Sequence, residues 1–329
     1  MEMKAVLQTE FGGAETLYAG ETETPQPGEG QIRIKVAATT VNRADCVQRQ
    51  GNYHQPPGDS PILGLEVAGT VDALGPGVSG FEVGEQVMSL VGGGGYAEYA
   101  VAYASPVMRI PERLDFHQAA CVCETYITAY LNIFMLAGLK DGETVLVHGG
   151  GGGVNTSAIQ LCRTLTPKAT VIITASTGKV ERVRGLGAHH VIDYRTGDFV
   201  EGVAAATGKR GADVILDHLG GAYLKRNLRS LALSGRLVII GLMGGAKSEI
   251  NLGPLMVRRQ QVIGSVLRSR PVDEKAMITR EFRETVVPLF ADGRIEPLIH
   301  EVLPLEEAAA AHRMMESSAH FGKIVLAVA

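Results

Sequence analysis

The stretch VLVHGGGGGVNTSAIQLCR, residues 145–163, decides the fold. A short apolar run comes first, five glycines follow at 149–153, and a segment with helical spacing of apolar residues ends it. Strand, glycine turn and helix in this order are typical of dinucleotide-binding folds, because N–H groups at the helix start can bind a diphosphate that no Cβ obstructs. We therefore expect a diphosphate to be bound here by Gly151, Gly152, Gly153, Val154 and Asn155.

The glycine motif departs from the standard fingerprint. A strict GxGxxG fails in every frame, because the third glycine is replaced by Val154 or Asn155. The third glycine normally lets helix and strand pack closely. Asn155 thus predicts either a wider contact or an amide that joins the phosphate shell. A plain glycine-rich turn is the alternative interpretation.

The surrounding chain alternates between strand and helix. Helical stretches separate most of the buried-strand candidates, and alternation at this spacing indicates parallel βαβ units. Six such strands match the doubly wound Rossmann sheet. A helix from Glu124 to Ala137, ended by Gly138, precedes them. The predicted strands are 144–148, 170–174, 189–193, 213–217, 236–240 and 262–266.

The residues on either side of this region have a different pattern. Apolar and charged residues alternate over 32–36, and glycine turns separate further short strands, which predicts a small β-barrel. The tail reads as helix 272–291, strand 299–303, helix 304–315 and strand 323–328, which returns to the first domain. The predicted domains are 1–124, 125–266 and a completing segment 267–329.

Composition excludes several functional classes. With 45% hydrophobic and 20% charged residues among 329, the chain can bury a core and is not disordered. A net charge of −4 makes nucleic acid an unlikely partner. No signal sequence and no apolar stretch of about 18 residues is present, so we expect a cytoplasmic protein without a membrane partner.

Cysteine and serine patterns also argue against several chemistries. The cysteines at 46, 121, 123 and 162 form neither a CxxC motif nor a zinc-finger ladder. We expect free, buried thiols, with a redox-sensitive Cys123 as the alternative. The absence of a GxSxG elbow disfavours hydrolase chemistry.

The segment after the second predicted strand points to the phosphorylated cofactor. Dinucleotide folds that prefer NAD place an acid there for the ribose 2′-hydroxyl, and the segment ASTGK, 175–179, has none. Its hydroxyls and Lys179 instead suit a 2′-phosphate, since a charge-assisted contact contributes about 1.5–3 kcal/mol. NADPH should be preferred over NADH by about tenfold or more. Alternatively, Lys179 is an ordinary solvated lysine.

Several motifs together carry a family resemblance. They are NRADCVQRQGNY at 42–53, ILGLEVAGTVDALGPGV at 62–78, DHLGG at 217–221, LALSGRLVIIGLMGG at 231–245, SVLRSR at 265–270 and FGKIVL at 321–326. With the glycine loop and ASTGK, they resemble the zinc-free quinone oxidoreductases of the medium-chain dehydrogenase/reductase superfamily. The likeness is closest to the tumour-suppressor-induced subgroup and more distant to the zeta-crystallin type. It implies an α/β fold with a GroES-like β-barrel catalytic domain beside the Rossmann domain, and a homodimer.

The resemblance also implies that no metal is used. Zinc-dependent alcohol dehydrogenases of this superfamily have Cys in place of Asn42 and His in place of Leu65, and they carry a four-cysteine lobe that this chain lacks. Amide and leucine side chains cannot replace thiolate and imidazole on Zn²⁺. Without a Lewis acid, substrates that accept hydride readily fit better than alcohols.

The resemblance assigns roles residue by residue. Asn42 and Tyr53 would face the nicotinamide and the substrate in the interdomain cleft, with Tyr53 as the proton donor or, alternatively, only a stacking wall. Thr128 would contact the nicotinamide side of the cofactor. The adenosine end would be bound by Ser176, Lys179 and Tyr194, and the nicotinamide end by Leu242, Met243, Leu267 and Ser269, with Lys323 as a further cationic candidate.

The expected function is NADPH-dependent, zinc-independent reduction of quinones, particularly ortho-quinones. One alternative is an NADPH-dependent alkenal or enone double-bond reductase on the same scaffold. The other is an NADPH-binding or NADPH-sensing protein with little turnover, since zeta-crystallin-like relatives can serve non-catalytic roles.

Overall fold

The computed structural model describes residues 1–53 and 55–328. The chain divides into two units. Unit 1 contains Met1–Ile127 and Leu267–Ala329, and unit 2 contains Thr128–Val266. The chain thus leaves unit 1 after Ile127. The sequence analysis predicted this boundary three residues earlier, after residue 124.

The described residues form strands and α-helices as follows. The strands are β1 Glu2–Gln8, β2 Leu17–Glu23, β3 Gln31–Val41, β4 Glu66–Leu74, β5 Gln86–Leu90, β6 Tyr99–Tyr103, β7 Met108–Arg109, β8 Thr144–Val147, β9 Thr170–Ala175, β10 His190–Asp193, β11 Ala212–Asp217, β12 Leu231–Ile239, β13 Gln261–Gly264, β14 Ile299–Pro304 and β15 Lys323–Ala327. The helices are α1 Arg43–Arg49, α2 Phe116–Ala119, α3 Cys123–Tyr130, α4 Gly153–Leu165, α5 Val180–Gly185, α6 Phe199–Ala206, α7 Gly221–Ser230, α8 Leu252–Val257, α9 Val272–Thr285, α10 Val287–Ala291 and α11 Ala308–Ser317.

Unit 2 is built on a six-stranded sheet. Its order is β10-β9-β8-β11-β12-β13, and every neighbouring pair is parallel. Counted along the chain this is the order 3-2-1-4-5-6, which is the doubly wound Rossmann arrangement. Four adjacent strands each contribute a fully buried side chain to the core, namely Leu146, Ile172, Ile215 and Leu237. Continuous apolar runs of this kind are typical of parallel strands that are covered on both faces. The predicted Rossmann fold is confirmed.

The helix predicted from 124 to 137 has two parts. After α3, the segment Leu131–Leu136 winds as a π-helix. The side chain of Asn132 explains the change, because its Nδ2 donates to the Thr128 carbonyl oxygen at 2.7 Å and competes with the regular helical bond. The Ala137 N–H then donates to the Asn132 oxygen five residues back. Gly138, at φ +58°, ends the helix as predicted.

Unit 1 contains a seven-stranded sheet and a hairpin. The sheet order is β14-β15-β3-β4-β5-β7, with β6 also pairing with β3, while β1 and β2 form the antiparallel hairpin. The last strand, β15, pairs antiparallel with β3 in the register Ile324↔Val41. The tail therefore returns to the first part of the chain, as predicted.

Two predicted tail helices differ from the structure. The helix predicted over 272–291 is α9 followed by α10, and Pro288 lies in the first turn of α10. A proline lacks the N–H that a continuous helix needs, so the break before it follows from the sequence. The helix predicted over 304–315 starts later, because β14 extends to Pro304 and a 3₁₀ turn, Leu305–Glu307, precedes α11.

The membrane prediction can be compared with the helices directly. No helix in residues 1–53 and 55–328 is long and apolar enough to cross a bilayer.

Candidate active site

The glycine loop of unit 2 connects β8 to α4. Gly149 has φ +79°, and the N–H of Gly150 donates to the Thr174 carbonyl oxygen at 2.7 Å. A Cβ on Gly150 would lie 2.6 Å from the Ile173 side chain and 2.8 Å from that of Val183. The loop therefore needs glycine here, since it runs against β9 and α5 too closely for any side chain.

Asn155, in the place of the third glycine, binds the loop itself. Its Nδ2 donates to the carbonyl oxygen of His148, and the side chain is buried. The amide thus ties the start of α4 to the end of β8. The sequence analysis offered two interpretations of Asn155, a phosphate contact or a wider distance between helix and strand. The bond to His148 explains the residue without either of them.

Lys179 lies over the glycine loop. A Cβ on Gly151 would lie 2.7 Å from the Lys179 Nζ, so the ammonium group is next to the loop backbone. Partial burial and the charge of Arg182 lower the pKa of Lys179. A cation that is disfavoured by desolvation and lies beside a glycine loop suits an anionic ligand.

Ser176 and Tyr194 follow the ends of neighbouring strands. The Ser176 carbonyl oxygen accepts the N–H of Lys179 at 2.8 Å, and the N–H of Tyr194 donates to the Ala175 oxygen at 3.1 Å. Tyr194 is 42% exposed. These residues of the predicted adenosine end therefore lie at the carboxyl ends of β9 and β10, where dinucleotide folds bind their ligand.

Asp193 is a charged neighbour that sequence reasoning missed. It ends β10 and lies opposite Ala175 in the strand register. Hydrogen bonds from the Thr177 hydroxyl and the Arg195 N–H lower the pKa of its carboxyl group. The acid that binds a ribose 2′-hydroxyl is expected at the end of the second strand, β9, whereas Asp193 lies at the end of the third strand, β10.

Two further loops lie at the same edge of the sheet. The carboxylate of Asp217 accepts the N–H groups of Leu219 at 2.8 Å and Gly220 at 2.9 Å, which folds the DHLGG turn. The N–H of Met243 donates to the His218 oxygen at 3.1 Å, so the loop after β12 joins this turn. Leu242 and Met243 are 56% and 55% exposed. Their side chains are thus available to a ligand rather than part of the core.

Unit 2 fits a dinucleotide. Glycines provide an approach that a Cβ would obstruct, α4 presents its first N–H groups, and Lys179 adds a cation. Thr128 is the first residue of this unit, and its carbonyl oxygen is bound by Asn132. Leu267 and Ser269, which the resemblance places at the nicotinamide end, belong to unit 1.

Unit 1 contains a buried polar cluster around Asn42, which precedes α1. The Asn42 Oδ1 accepts the Lys323 Nζ at 2.6 Å, and its Nδ2 donates to Glu66 Oε1 at 3.2 Å and Thr40 Oγ1 at 3.3 Å. Lys323 Nζ also donates to Glu66 Oε1 at 2.9 Å, and the N–H of Glu124 donates to Glu66 Oε2 at 2.7 Å. Both ends of the Asn42 amide are thus held by hydrogen bonds.

The side chains of the same cluster decide whether zinc could be bound there. Lys323 places a positive charge on the oxygens of Asn42 and Glu66, and Leu65 supplies no ligand atom. Residues 1–53 and 55–328 contain no group of three His, Cys, Asp or Glu side chains arranged to hold a metal. Amide, ammonium and leucine groups are not a zinc donor set, so these residues do not fit the metal.

Tyr53 and Glu124 are the protonated groups near this cluster. Burial raises the pKa of Tyr53 to about 12, and the carboxyl group of Glu124 adds to the effect when it is ionised. Burial and the neighbouring Glu66 raise the pKa of Glu124 to about 8. Both groups therefore hold a proton at neutral pH.

The four cysteines are buried thiols. All four are free and buried, as predicted. Burial raises the pKa of Cys123 well above its usual range, with Glu66 and Glu124 adding to the effect. Because the thiolate is the reactive form, the packing interpretation of Cys123 is favoured.

Comparisons with known proteins agree with this architecture. The family described as "Zinc-binding dehydrogenase" matches residues 186–326, and "Alcohol dehydrogenase GroES-like domain" matches residues 28–112. The quinone oxidoreductase of Lama guanicoe is 36% identical over 98% of this chain and 97% of its own. The synaptic vesicle membrane protein VAT-1 homolog-like of Mus musculus is 38% identical over 66% of this chain, and the match spans only 51% of that relative.

Solved structures give the same result. The native structure of mycobacterial Rv1454c complexed with NADPH has a TM-score of 0.89 at 30% identity, covering 99% of this chain and 100% of that one. The CurK enoyl reductase has a TM-score of 0.87 at 27% identity, covering 99% of both chains. Three findings agree: the fold, the match to the GroES-like domain, and 36% identity to a quinone oxidoreductase over nearly the full length of both chains. The chain therefore belongs to the medium-chain dehydrogenase/reductase superfamily, among oxidoreductases that use a nicotinamide cofactor.

Proposed function

We propose that this protein is an NADPH-dependent quinone oxidoreductase that works without zinc. The observation that carries the proposal is the Lys323 ammonium, which donates to Glu66 and to Asn42, the residue that stands where zinc-dependent relatives have a cysteine ligand. Without a metal to lower a hydroxyl pKa, alcohol oxidation is disfavoured. Quinones need no such activation, because they accept hydride readily, and full-length similarity to quinone oxidoreductases supports the same substrate class.

The choice of NADPH rests on Lys179 and its surroundings. Its ammonium lies beside Gly151, at the edge where Ser176 and Tyr194 follow their strands. A 2′-phosphate would gain a charge-assisted contact there that NADH cannot make. Asp193 acts in the opposite direction, and hydrogen bonds from Thr177 and the Arg195 N–H hold its carboxylate at the end of β10.

In this mechanism each unit has its own task. Bound NADPH supplies the hydride. The glycine loop and α4 bind its diphosphate, and Lys179 binds the 2′-phosphate. Tyr53 keeps its proton across the working pH range and donates a hydrogen bond to the substrate oxygen that becomes negative. Lys323 and Glu66 hold the Asn42 amide in a fixed orientation.

The proposal is tested by steady-state kinetics with phenanthrenequinone. We expect kcat/KM for NADPH to exceed that for NADH by about tenfold or more. Equal values for the two cofactors would contradict the role of Lys179. Tight NADPH binding without turnover of any acceptor would instead favour the sensing function.

An enone or alkenal reductase is the second candidate. It is favoured by the protonated Tyr53 phenol, since reduction of a carbon–carbon double bond needs a proton donor, and by the likeness to an enoyl reductase. Parallel assays with phenanthrenequinone and an alkenal separate the two functions. A kcat/KM at least about tenfold higher for the alkenal would transfer the assignment.

A homodimer through β13 completes the proposal. This strand lies at the edge of its sheet, and Val262 on it is 41% exposed. Exposed apolar residues of α8, Met256 and Val257, precede it in the chain. Such an edge can pair with the same strand of a second copy.

Light scattering tests the dimer. The wild type should have the mass of a dimer, and the variant Val262→Glu should have the mass of a monomer. The matched control Val302→Glu, on the edge strand β14, should remain dimeric.

A further inference from the structure

The four glycines at 92–95 support the loop that carries Tyr53. A Cβ on Gly92 would overlap the Asp59 carboxyl group, and one on Gly93 would lie 2.2 Å from the Ser60 carbonyl oxygen. Asp59 and Ser60 therefore pack directly on the backbone of this glycine run. The position of the loop depends on residues that have no side chain.

Arg268 joins the glycine run to Tyr53. Its Nε donates to the Gly92 carbonyl oxygen at 2.9 Å, and its Nη2 donates to the same oxygen. The guanidinium carbon lies 5.1 Å from the centre of the Tyr53 ring, within the range of a cation–π contact. The residue is only 7% exposed, so this contact is shielded from water.

The charge of Arg268 is not neutralised by an ion pair. In the described ranges, 1–53 and 55–328, no carboxylate lies within salt-bridge distance of it, and its Nη1 has no hydrogen-bond partner. Burial of an unpaired cation and an unused N–H destabilises a fold. The carboxyl groups of Asp45, Asp59 and Glu124 favour the charge from beyond salt-bridge distance. The direct contacts of the guanidinium are with Gly92 and Tyr53.

We propose that Arg268 is a positioning residue that holds the Tyr53 phenol for proton donation to the substrate. The inference rests on the second candidate function, enone or alkenal reduction. In enone reduction, hydride from reduced nicotinamide adds to the β-carbon and leaves an enolate. The O–H bond of Tyr53 then breaks, its proton forms the new bond on the substrate, and solvent returns a proton to the phenolate.

The charges around Tyr53 agree with this role. Glu124 and Asp45 raise the pKa of the phenol, and Arg268 lowers it. Loss of Arg268 would both free the ring and weaken the phenol as an acid. Proton donation should then slow, because a weaker acid transfers its proton less readily.

The first test is Arg268→Met, which keeps the length of the side chain and removes its charge. We expect kcat with an alkenal to fall about tenfold, while NADPH affinity stays unchanged. Arg268→Lys, which restores a cation over the ring, should recover part of kcat. A large loss of thermal stability with no recovery by lysine would overturn the proposal.

A double-mutant cycle with Tyr53→Phe makes the test specific. If Arg268 acts through the phenol, Arg268→Met should change kcat less than about twofold in the Tyr53→Phe background. Independent, multiplicative effects would overturn the positioning role. An effect of Tyr53→Phe without one of Arg268→Met overturns only this inference. No effect of Tyr53→Phe overturns the proton-donor role as well.

Discussion

The glycine loop of unit 2 and the polar cluster of unit 1 are assembled in different ways. The loop joins consecutive elements, β8 and α4, and most of its close neighbours come from the elements that follow, β9 and α5, with His218 after β11 as the more distant one. The cluster joins Asn42 to Lys323, 281 residues further along the chain, and to Glu66. The proposed diphosphate site thus follows mainly from a local pattern, while the polar cluster depends on the complete fold of unit 1.

Lys323→Met should produce the largest effect in this comparison. It leaves the Glu66 carboxylate buried without its cation, which costs about 3–5 kcal/mol of unfolding free energy. Urea unfolding measures the loss. The double variant Lys323→Met/Glu66→Gln is the matched control and should recover most of it, because no buried charge remains unpaired. Equal loss in both variants would contradict the ion-pair account.

Gly150→Val tests the local half of the comparison. The new side chain would overlap Ile173 and Val183 and displace the loop. We expect NADPH affinity to fall about 100-fold, or about 2.7 kcal/mol, by isothermal titration calorimetry. Gly185→Ala is the control, since its Cβ would meet nothing within 4 Å. Unchanged affinity in Gly150→Val would mean that the loop does not bind the diphosphate.

Lys179→Ala should have a smaller and selective effect. Loss of the charge-assisted contact should weaken NADPH binding about tenfold, or about 1.4 kcal/mol, and leave NADH binding unchanged. The control is Lys168→Ala, because Lys168 precedes β9 whereas Lys179 follows it. A parallel loss for both cofactors in Lys179→Ala would assign the ammonium to the diphosphate rather than to the 2′-phosphate.

Glu124→Gln should change only the pH dependence of stability. The pKa of Glu124 is raised from 4.5 to about 8, so the folded state binds the proton more tightly than the unfolded state. This contribution is complete below about pH 4.5 and is lost as pH rises toward 8. Between pH 5 and 8 the urea midpoint of the wild type should therefore fall relative to that of Glu124→Gln, which has no carboxyl group to ionise at this position. A constant difference between the two proteins would refute the raised pKa.

The sequence allowed prediction of most of unit 2 and less of the candidate site. The six parallel strands followed from apolar runs alternating with helices, and the glycine turn marked the ligand edge. The π-helical turn depends on one side-chain bond of Asn132, which no periodicity reveals. The break before Pro288 was legible in the sequence and was missed.

Long-range contacts explain the rest. Arg268 meets Gly92 across 176 residues, and the Asn42 amide is bound by Lys323 from the last strand. Neither pairing leaves a local signal, because each depends on how the sheet of unit 1 brings distant segments together. The resemblance suggested Asn42 and Tyr53 as site residues, but it did not suggest Arg268 or Glu124.

The most direct test of the central claim is NADPH oxidation with phenanthrenequinone in the presence of a zinc chelator. The protein should first be dialysed against the chelator, and its metal content measured. We predict rapid oxidation of NADPH whose rate is the same with and without the chelator and does not rise on addition of zinc. Loss of the rate on chelation and its return with zinc would contradict the assignment of Lys323, Asn42 and Glu66 as a metal-free site.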